Sequence, residues 1–360
     1  MASISLCMIV KNEEKVISRC LKSIMSAVDE IIIVDTGSTD STKEKASAYT
    51  DKIYDFEWID DFSAARNFSF SKAEKDFIMW LDADDIITEE NAAKLTELKN
   101  NLNNIDAVMM KYNTAFDEDG RPTFSFFRER LIRRSIPHRW MGRVHEVIEY
   151  TGKTIYSDIS IEHQSVKTEY STRNMEIYEK QLEAGETFCP RDRFYFGREL
   201  YYHKKYDRAI ETLNNFLNDE EAWLENKIEA CRILAYCYCE KDDTNNALKT
   251  LFSSFLFDTP RAEICCDAGN IFMKSEKYEN AVYWFETALK LTPKQNNGGF
   301  TDIDCYGYLP CIQLCVCYDK LRNYAEAENY NKSAGIYRPN SKAYLQNLSY
   351  FESLHQNNII

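Results

Sequence analysis

Three carboxylates follow a short apolar run in the segment DFIMWLDADD, which spans residues 76–85. The apolar run 77–81 is typical of a buried strand in a parallel sheet, because strands covered on both faces have continuous apolar sequences. Asp82, Asp84 and Asp85 would then lie at the carboxyl end of that strand, where open α/β sheets bind ligands. Crowded carboxylates repel one another, and a divalent cation bound to a substrate phosphate would offset that repulsion. The alternative is an ordinary acidic turn after a strand.

Further candidate residues follow other apolar runs. Asp35 ends the run 31–34 and precedes Thr-Gly-Ser, whereas Asn12 and Glu13 follow the run 4–10. The segment HRWMGRVHE, residues 138–146, concentrates titratable groups around one tryptophan, and three of the five histidines lie between positions 138 and 163. These residues could serve proton transfer or metal binding.

Composition limits the classes of function. The 360 residues carry 58 acidic and 44 basic side chains, which give a net charge of −14. This balance argues against a nucleic-acid partner and against a polybasic membrane anchor. We find no signal peptide and no apolar stretch of 18 residues, so we expect no membrane span. The 12 cysteines include no C-x-x-C pair, and we therefore expect reduced thiols in a cytoplasmic protein.

The elements that must position the acids alternate between strand and helix. Apolar runs predict strands at 4–10, 31–34, 51–56 and 77–81, with helical periodicity between them. This alternation is typical of right-handed βαβ units. It would bring Asp35 and the acids after residue 81 to one rim of the sheet. Further strands are predicted at 107–115, 123–134 and 153–161, with a turn at 117–120.

The second half of the sequence has helical patterns in place of the alternation of strands and helices. Helical patterns begin near residue 172, and alanines recur at Ala209, Ala247, Ala281 and Ala327. A small residue stands twelve positions before each of them, which would let paired helices approach closely. Only the interval from Ala247 to Ala281 equals the period of about 34 residues of a tetratricopeptide repeat. We therefore predict a short solenoid of degenerate repeats, closed by a helix at 342–355.

Five motifs occur in order: ISLCMIVKNEE from residue 4, VDTGSTDST from 34, FSAARN from 62, WLDADD from 80 and GRVHE from 142. Together they resemble a family 2 glycosyltransferase of the GT-A fold, and residues 268–293 resemble a tetratricopeptide repeat. The expected architecture is a Rossmann-like, mostly parallel α/β GT-A domain at 1–167, a helical linker at 168–190 and an all-α tetratricopeptide-like solenoid at 191–355.

The resemblance implies site residues. Asp35 would contact the uracil or ribose of the donor, in a pocket also lined by Val10, Asn12 and Glu13. Asp84 and His163 would bind Mn²⁺ or Mg²⁺. Asp82 would hold the ribose or a metal-bound water, or bind the metal itself. The alternatives are that Asp35 caps the next helix and that His163 is a buried, hydrogen-bonded histidine.

The remaining assignments concern the diphosphate and the acceptor. Arg66 would face the donor phosphates or support the aspartates, or it could simply pair with a carboxylate at the sheet edge. Glu146 or His145 would be the general base, although His145 could instead fix its loop. Trp140 would stack on a sugar, although packing is the alternative role for this residue.

The resemblance implies inverting transfer from a nucleotide sugar, with a UDP-sugar as the expected donor. Because solenoids present concave surfaces to peptides, we expect a peptide or protein acceptor, as in the S- and O-glycosyltransferases of glycopeptide bacteriocin systems. The alternatives are a polysaccharide or lipid-linked acceptor, and a binding scaffold with an inactive transferase domain. A homodimer is a further possibility.

Overall fold

The computed structural model describes residues 1–166, 170–294 and 298–357. These residues form two compact units, one from 1–114 with 126–187, the other from 115–125 with the described part of 188–360. The predicted boundary at residue 167 lies outside the described residues. The helix Arg173–Glu183, which we assigned to a linker, lies in the first unit.

Seven strands of the first half correspond to the predicted runs, and three others were not predicted. Together they are β1 (Ile4–Val10), β2 (Glu30–Asp35), β3 (Ile53–Asp55), β4 (Phe77–Trp80), β5 (Asp85–Ile86), β6 (Ala107–Phe116), β7 (Pro122–Arg133), β8 (His138–Met141), β9 (Val147–Tyr150) and β10 (Thr154–His163). The short strand β5 and the antiparallel β8–β9 pair were not predicted. In the polar segment 138–146, titratable residues masked the strand pattern.

One sheet has the strand order β3-β2-β1-β4-β7-β6-β10-β5. Strands β1, β2, β3 and β4 pair in parallel, and β10 pairs in parallel with β6. Strands β7 and β5 run antiparallel to β4 and β10, respectively. The predicted mostly parallel α/β domain is therefore confirmed.

The helices of the first unit cover this sheet. They are α1 (Ile17–Ile24), α2 (Thr42–Ser47), α3 (Phe62–Ser71), α4 (Glu89–Leu98) and α5 (Arg173–Glu183). Alternate residues of β1 enter two separate cores, since strand side chains point to opposite faces. Leu6 and Met8 pack with Leu21 of α1, whereas Cys7 packs with Trp80 on the other face.

The second unit is predominantly helical. Its helices are α6 (Pro190–Tyr202), α7 (Tyr206–Leu217), α8 (Leu224–Glu240), α9 (Thr244–Ser253), α10 (Ala262–Lys274), α11 (Tyr278–Ala288), α12 (Tyr308–Lys320), α13 (Tyr324–Tyr337) and α14 (Lys342–Gln356). A two-residue strand, β11 (Thr301–Asp302), pairs with Phe124 and Ser125. The predicted closing helix at 342–355 corresponds to α14.

Four turns show that the helix pairs are repeats. Lys204, Asp242, Glu276 and Arg322 each have a left-handed φ between 57° and 60°. Each stands five positions before one of the recurring alanines, which are all fully buried. The small residues have the predicted role, because a Cβ added to Gly269 would lie 2.7 Å from the Phe285 ring.

All 12 cysteines lie in described residues and are free thiols, and most of those in the second unit are buried between helices. Among the residues that the structure describes, no helix combines the length and the apolar character needed to cross a bilayer.

Candidate active site

A cavity of about 350 Å³ lies beyond the carboxyl ends of β1 and β4. Eight of the residues singled out from the sequence line it: Val10, Glu13, Arg66, Asp82, Asp84, His145, Glu146 and His163. They come from separate strands, helices and loops of the first unit. The sheet thus gathers the predicted chemistry at the rim where α/β folds bind ligands.

Arg66 links two of the acids. It lies on α3, whose first turn is capped by the side chain of Asp61. Its Nη2 donates to Asp82 Oδ1 at 2.8 Å, and its Nε donates to Glu146 Oε1. The residue is only 6% exposed. Arg66 is therefore the ion-pair partner of Asp82 and Glu146, and its functional role stays a prediction.

The surroundings of Arg66 keep these charges in place. Its guanidinium lies 4.7 Å from the Trp80 ring and 4.9 Å from the Trp140 ring, at cation–π distance. Burial would raise the pKa of Asp82, but the charges of Arg66 and Arg130 outweigh burial and lower that pKa to about 2. Asp82 is accordingly an ionised partner of Arg66 over the neutral pH range.

Asp84 has a different environment. Burial, together with the neighbouring charges of Asp82 and Asp85, raises the pKa of Asp84, although His163 opposes this rise. Its Oδ1 lies 3.5 Å from Nδ1 of His163. Burial lowers the pKa of His163, but its contact with Asp85 and the charge of Asp84 raise it overall. The carboxylate of Asp84 and the imidazole of His163 could both bind the same cation.

Asp85 was given no role from the sequence, yet it is completely buried at the centre of this group. In the described part of the chain, Asp84, Asp85 and His163 are the residues whose potential ligand atoms lie within 4.8 Å of one another. Asp82 is outside the group because its carboxylate pairs with Arg66. The assignment of Asp82 to the metal stays a prediction.

Asp35 and Asn12 shape the loops at the rim but do not line the cavity. Asp35 Oδ1 accepts from the backbone N–H of Gly37 and Ser38, at 2.9 and 2.8 Å. Its Oδ2 is buried and has no partner among the described residues. Asn12 Oδ1 accepts from the N–H of Thr39. The N-cap of α2 is Ser41, so Asp35 does not cap that helix.

The two candidate bases lie in the turn between β8 and β9. His145 has a left-handed φ of 50°, an uncommon conformation for a residue other than glycine. Glu146 is 9% exposed, and its carbonyl oxygen accepts from Arg128 Nη2 at 3.3 Å. Both side chains line the cavity, and both remain candidates for the base.

Trp140 is 1% exposed and does not line the cavity. Its ring packs edge-on against Trp80 at 5.1 Å and against Phe70 at 5.6 Å. This placement favours the packing role over sugar stacking, because other side chains cover the indole.

Sequence reasoning missed several residues of the cavity wall: Lys11, Thr36, Trp58, Phe62, Arg128, Arg173 and Asn174. Three of them are basic. Arg173, on the first turn of α5, lies with its guanidinium 4.6 Å from the Phe62 ring. Its position at the start of a predicted helix gave no functional signal, since the motifs end far upstream.

A family model described as Glycosyl transferase family 2 matches residues 5–157. Residues 5–157 are thus similar to glycosyltransferase family 2 domains. The match covers the cavity's acids, Arg66 and both candidate bases, whereas His163 and α5 lie beyond it. The resemblance stated from the five motifs is confirmed for this segment.

Curated relatives match part of the chain. The TPR repeat-containing protein Synpcc7942_0270 of Synechococcus elongatus is 37% identical over 41% of this chain and 36% of its own length. The SPbeta prophage-derived glycosyltransferase SunS of Bacillus subtilis is 29% identical over 63% of this chain and 57% of its own length. The chain thus spans about a third to somewhat more than half of these relatives.

Solved structures are similar at lower levels. The structure of MamA is 18% identical, covers 45% of this chain and 79% of its own, and gives a TM-score of 0.36. Glucosyl-3-phosphoglycerate synthase from Mycobacterium tuberculosis, in complex with Mn²⁺, UDP-glucose and phosphoglyceric acid, is 24% identical, covers 31% and 44% of the two chains, and gives a TM-score of 0.28.

Proposed function

We propose that this protein is an inverting, metal-dependent glycosyltransferase. It would move a sugar from a nucleotide diphosphate sugar, with a UDP-sugar as the expected donor, to a Cys, Ser or Thr side chain of a peptide or protein. One observation carries the proposal. The segment that matches the family 2 model folds so that Arg66, Asp82, Asp84 and Glu146 line a single cavity.

The charges of the cavity suit a sugar diphosphate. Lys11, Arg128 and Arg173 line it, and basic side chains bind phosphate oxygens by charge-assisted hydrogen bonds. Asp84 and His163 fit a divalent cation, because carboxylate and imidazole donors together suit Mn²⁺. A bound Mn²⁺ or Mg²⁺ would stabilise the negative charge that develops on the departing diphosphate.

The acceptor must lose a proton as it attacks the anomeric carbon from the face opposite the diphosphate. Glu146 or His145 would accept that proton. Arg66 fixes the Glu146 carboxylate by an ion pair, which would keep the base oriented. A thiol, with a pKa of about 8.5, needs less help from a base than a hydroxyl does. Cys acceptors should therefore depend less on Glu146 than Ser acceptors.

The repeat unit is proposed to bind the acceptor. Helical repeat arrays present extended concave surfaces that bind peptides, and α6 to α13 form such pairs in this chain. The names of the two relatives support both parts of the proposal, since one is called a glycosyltransferase and the other a repeat-containing protein. A homodimer and a cytoplasmic location stay predictions.

Two other functions remain to be tested. The same chemistry could act on a surface polysaccharide or a lipid-linked glycan. The chain could also be a binding scaffold with an inactive transferase domain. The open cavity that Arg66 lines together with its partners Asp82 and Glu146 favours an intact enzyme, because a ligand there can contact both charges.

Donor hydrolysis tests the enzymatic part. A panel of nucleotide sugars is incubated with the full chain, with and without Mn²⁺, and free nucleotide diphosphate is measured. Asp84→Ala should abolish metal-dependent turnover while nucleotide binding partly survives. Asp158→Ala is the matched control, because its exposed carboxylate contacts Lys94 and does not line the cavity. Absence of turnover and of nucleotide-induced thermal shifts in the wild type would favour the scaffold.

Mass spectrometry of peptides tests the acceptor. Small peptides encoded beside the gene are incubated with mixed nucleotide sugars and searched for added hexose. Glu146→Gln should reduce transfer to a Ser peptide more than transfer to a matched Cys peptide. Equal losses for both peptides would contradict the proposed role of the base.

A further inference from the structure

The hydroxyl group of Tyr112 lies between Asp85 and His163. Its oxygen is 2.7 Å from Asp85 Oδ1 and 2.9 Å from His163 Nδ1. The register of the sheet explains this contact. His163 of β10 is paired with Asp85 of β5, and Tyr112 of β6 is next to the residue that is paired with Glu162 of β10. Three neighbouring strands thus deliver one side chain each.

The donors and acceptors of this group determine where the protons lie. The Tyr112 hydroxyl donates to Asp85 Oδ1, and a phenol has a single proton to donate. The phenol oxygen can then only accept from Nδ1 of His163. Asp85 Oδ1, at 3.3 Å from the same nitrogen, also only accepts. Nδ1 therefore carries the proton, and in the neutral ring Nε2 carries the lone pair.

Asp85 holds His163 rather than the cation, because both of its carboxylate oxygens already accept hydrogen bonds from other groups. Oδ2 accepts from Arg130 Nη1 at 3.1 Å and from the backbone N–H of Asp82 at 3.0 Å. The side chains of Asp85 and Arg130 are both fully buried. A carboxylate held by four groups has little freedom to bind a cation directly. Asp84, with 14% of its side chain exposed, retains access.

We propose that Tyr112 is a positioning residue for the metal site. Together with Asp85, it holds Nδ1–H of His163 and so presents Nε2 to the divalent cation that Asp84 also binds. Arg130 anchors the Asp85 end of this chain of hydrogen bonds. The inference rests on the proposed metal-dependent function and adds to it the tautomer of His163 and the residues that fix it. Partners of this kind tune metal affinity by about 10–100-fold.

Mn²⁺ binding in the presence of UDP tests the inference without any turnover. The affinity is measured by calorimetry, and directly bound imidazole nitrogen is detected by pulsed electron paramagnetic resonance. Tyr112→Phe removes only the hydroxyl and keeps the ring contacts with Phe126 and His163. Its Kd for Mn²⁺ should rise about tenfold or more, and the nitrogen coupling should weaken. His163→Ala should remove the coupling.

Two further variants complete the design. Tyr150→Phe is the matched control, because its hydroxyl contacts Thr154 rather than the metal group; its Kd should stay within about twofold. Asp85→Asn changes the other residue that holds Nδ1–H of His163. Thermal unfolding checks that this variant is folded. If either Tyr112→Phe or Asp85→Asn is folded and keeps both the wild-type Kd and the coupling, the inference is wrong and the proposed function stands. Wild-type protein that binds no Mn²⁺ would overturn both.

Discussion

Both units of this protein bury arginines against carboxylates, but with different surroundings. In the first unit, Arg66 pairs with Asp82 and Glu146 in the wall of a cavity of about 350 Å³. In the second, Arg232 and Arg261 lie around a space of only about 10 Å³. Arg232 pairs with Asp267 of the next helix pair, and Asp267 lines a separate cavity of about 310 Å³ that Arg232 does not line.

The comparison teaches how to interpret buried charge. Desolvation penalises a buried ion pair wherever it occurs, so the pair itself says little about stability or function. A cavity that the cation and its acids line together, as Arg66, Asp82 and Glu146 do, decides the matter, because a ligand there can contact both charges. We therefore interpret the Arg66 group as a site and the Arg232 group as a link between helix pairs. Four predictions test this distinction.

The largest effect is expected from Arg66→Met. It leaves buried Glu146 and one-third-exposed Asp82 without their shared cation, and the loss of one partner of a buried pair costs about 3–5 kcal/mol. Donor hydrolysis should fall about 100-fold or more, as when a group that organises a catalytic site is removed. Arg66→Lys keeps the charge but loses the two-pronged contact, and should be intermediate. Wild-type hydrolysis by folded Arg66→Met would contradict the site.

Arg232→Met should have a comparable effect on stability and none on the donor site. It removes the cation that pairs with Asp267 between α8 and α10, although the Tyr236 hydroxyl still donates to Asp267, and we expect a loss of about 3 kcal/mol. The melting temperature of the second unit should fall by about 6–12 °C. Nucleotide affinity, measured by calorimetry below the transition, should be unchanged. If Arg232→Met lowered nucleotide affinity, the distinction between the two groups would be lost.

Gly269→Ala should destabilise the repeat unit by about 1–3 kcal/mol. Helix propensity alone predicts the opposite sign, by about 1 kcal/mol. The added Cβ would meet the Phe285 ring at 2.7 Å. Thermal unfolding measures the effect, and the double variant Gly269→Ala with Phe285→Leu should recover part of it. Stabilisation by Gly269→Ala would show that the helix pair can relax.

The smallest effect concerns the ion pair of buried Glu30 with Lys52, neither of which lines the cavity. Burial would raise the pKa of Glu30, but hydrogen bonds from Lys52 and Ser5 outweigh it and lower that pKa to about 2. Since the folded-state pKa lies below the unfolded value, the stabilisation is complete above about pH 4.5. It should disappear as the pH falls from there towards 2.

Glu30→Gln should thus lower the melting temperature at pH 7 by an amount equivalent to about 1 kcal/mol. The gap from wild type should narrow below pH 4.5. Glu74→Gln, at the exposed carboxylate that also contacts Lys52, is the matched control and should change little. A gap that is constant between pH 7 and pH 4 would contradict the assigned pKa direction.

The sequence by itself determined the local features of this protein. Continuous apolar runs predicted the central strands, and acids directly after them predicted the rim that carries Asp84. The recurring alanines predicted the helix pairs, and Gly269 predicted their close approach. Such features depend on periods of a few residues, so they can be seen before folding.

Only the tertiary structure decided which acid has which partner. Asp82 and Asp85 are three positions apart, yet one pairs with Arg66 and the other with Arg130. Tyr112 had no signal in the sequence, and Trp140 proved to be buried packing. The physical reason is that strand register and helix placement bring together side chains tens of residues apart, and the charges at such meetings set which carboxylate is free to bind a cation.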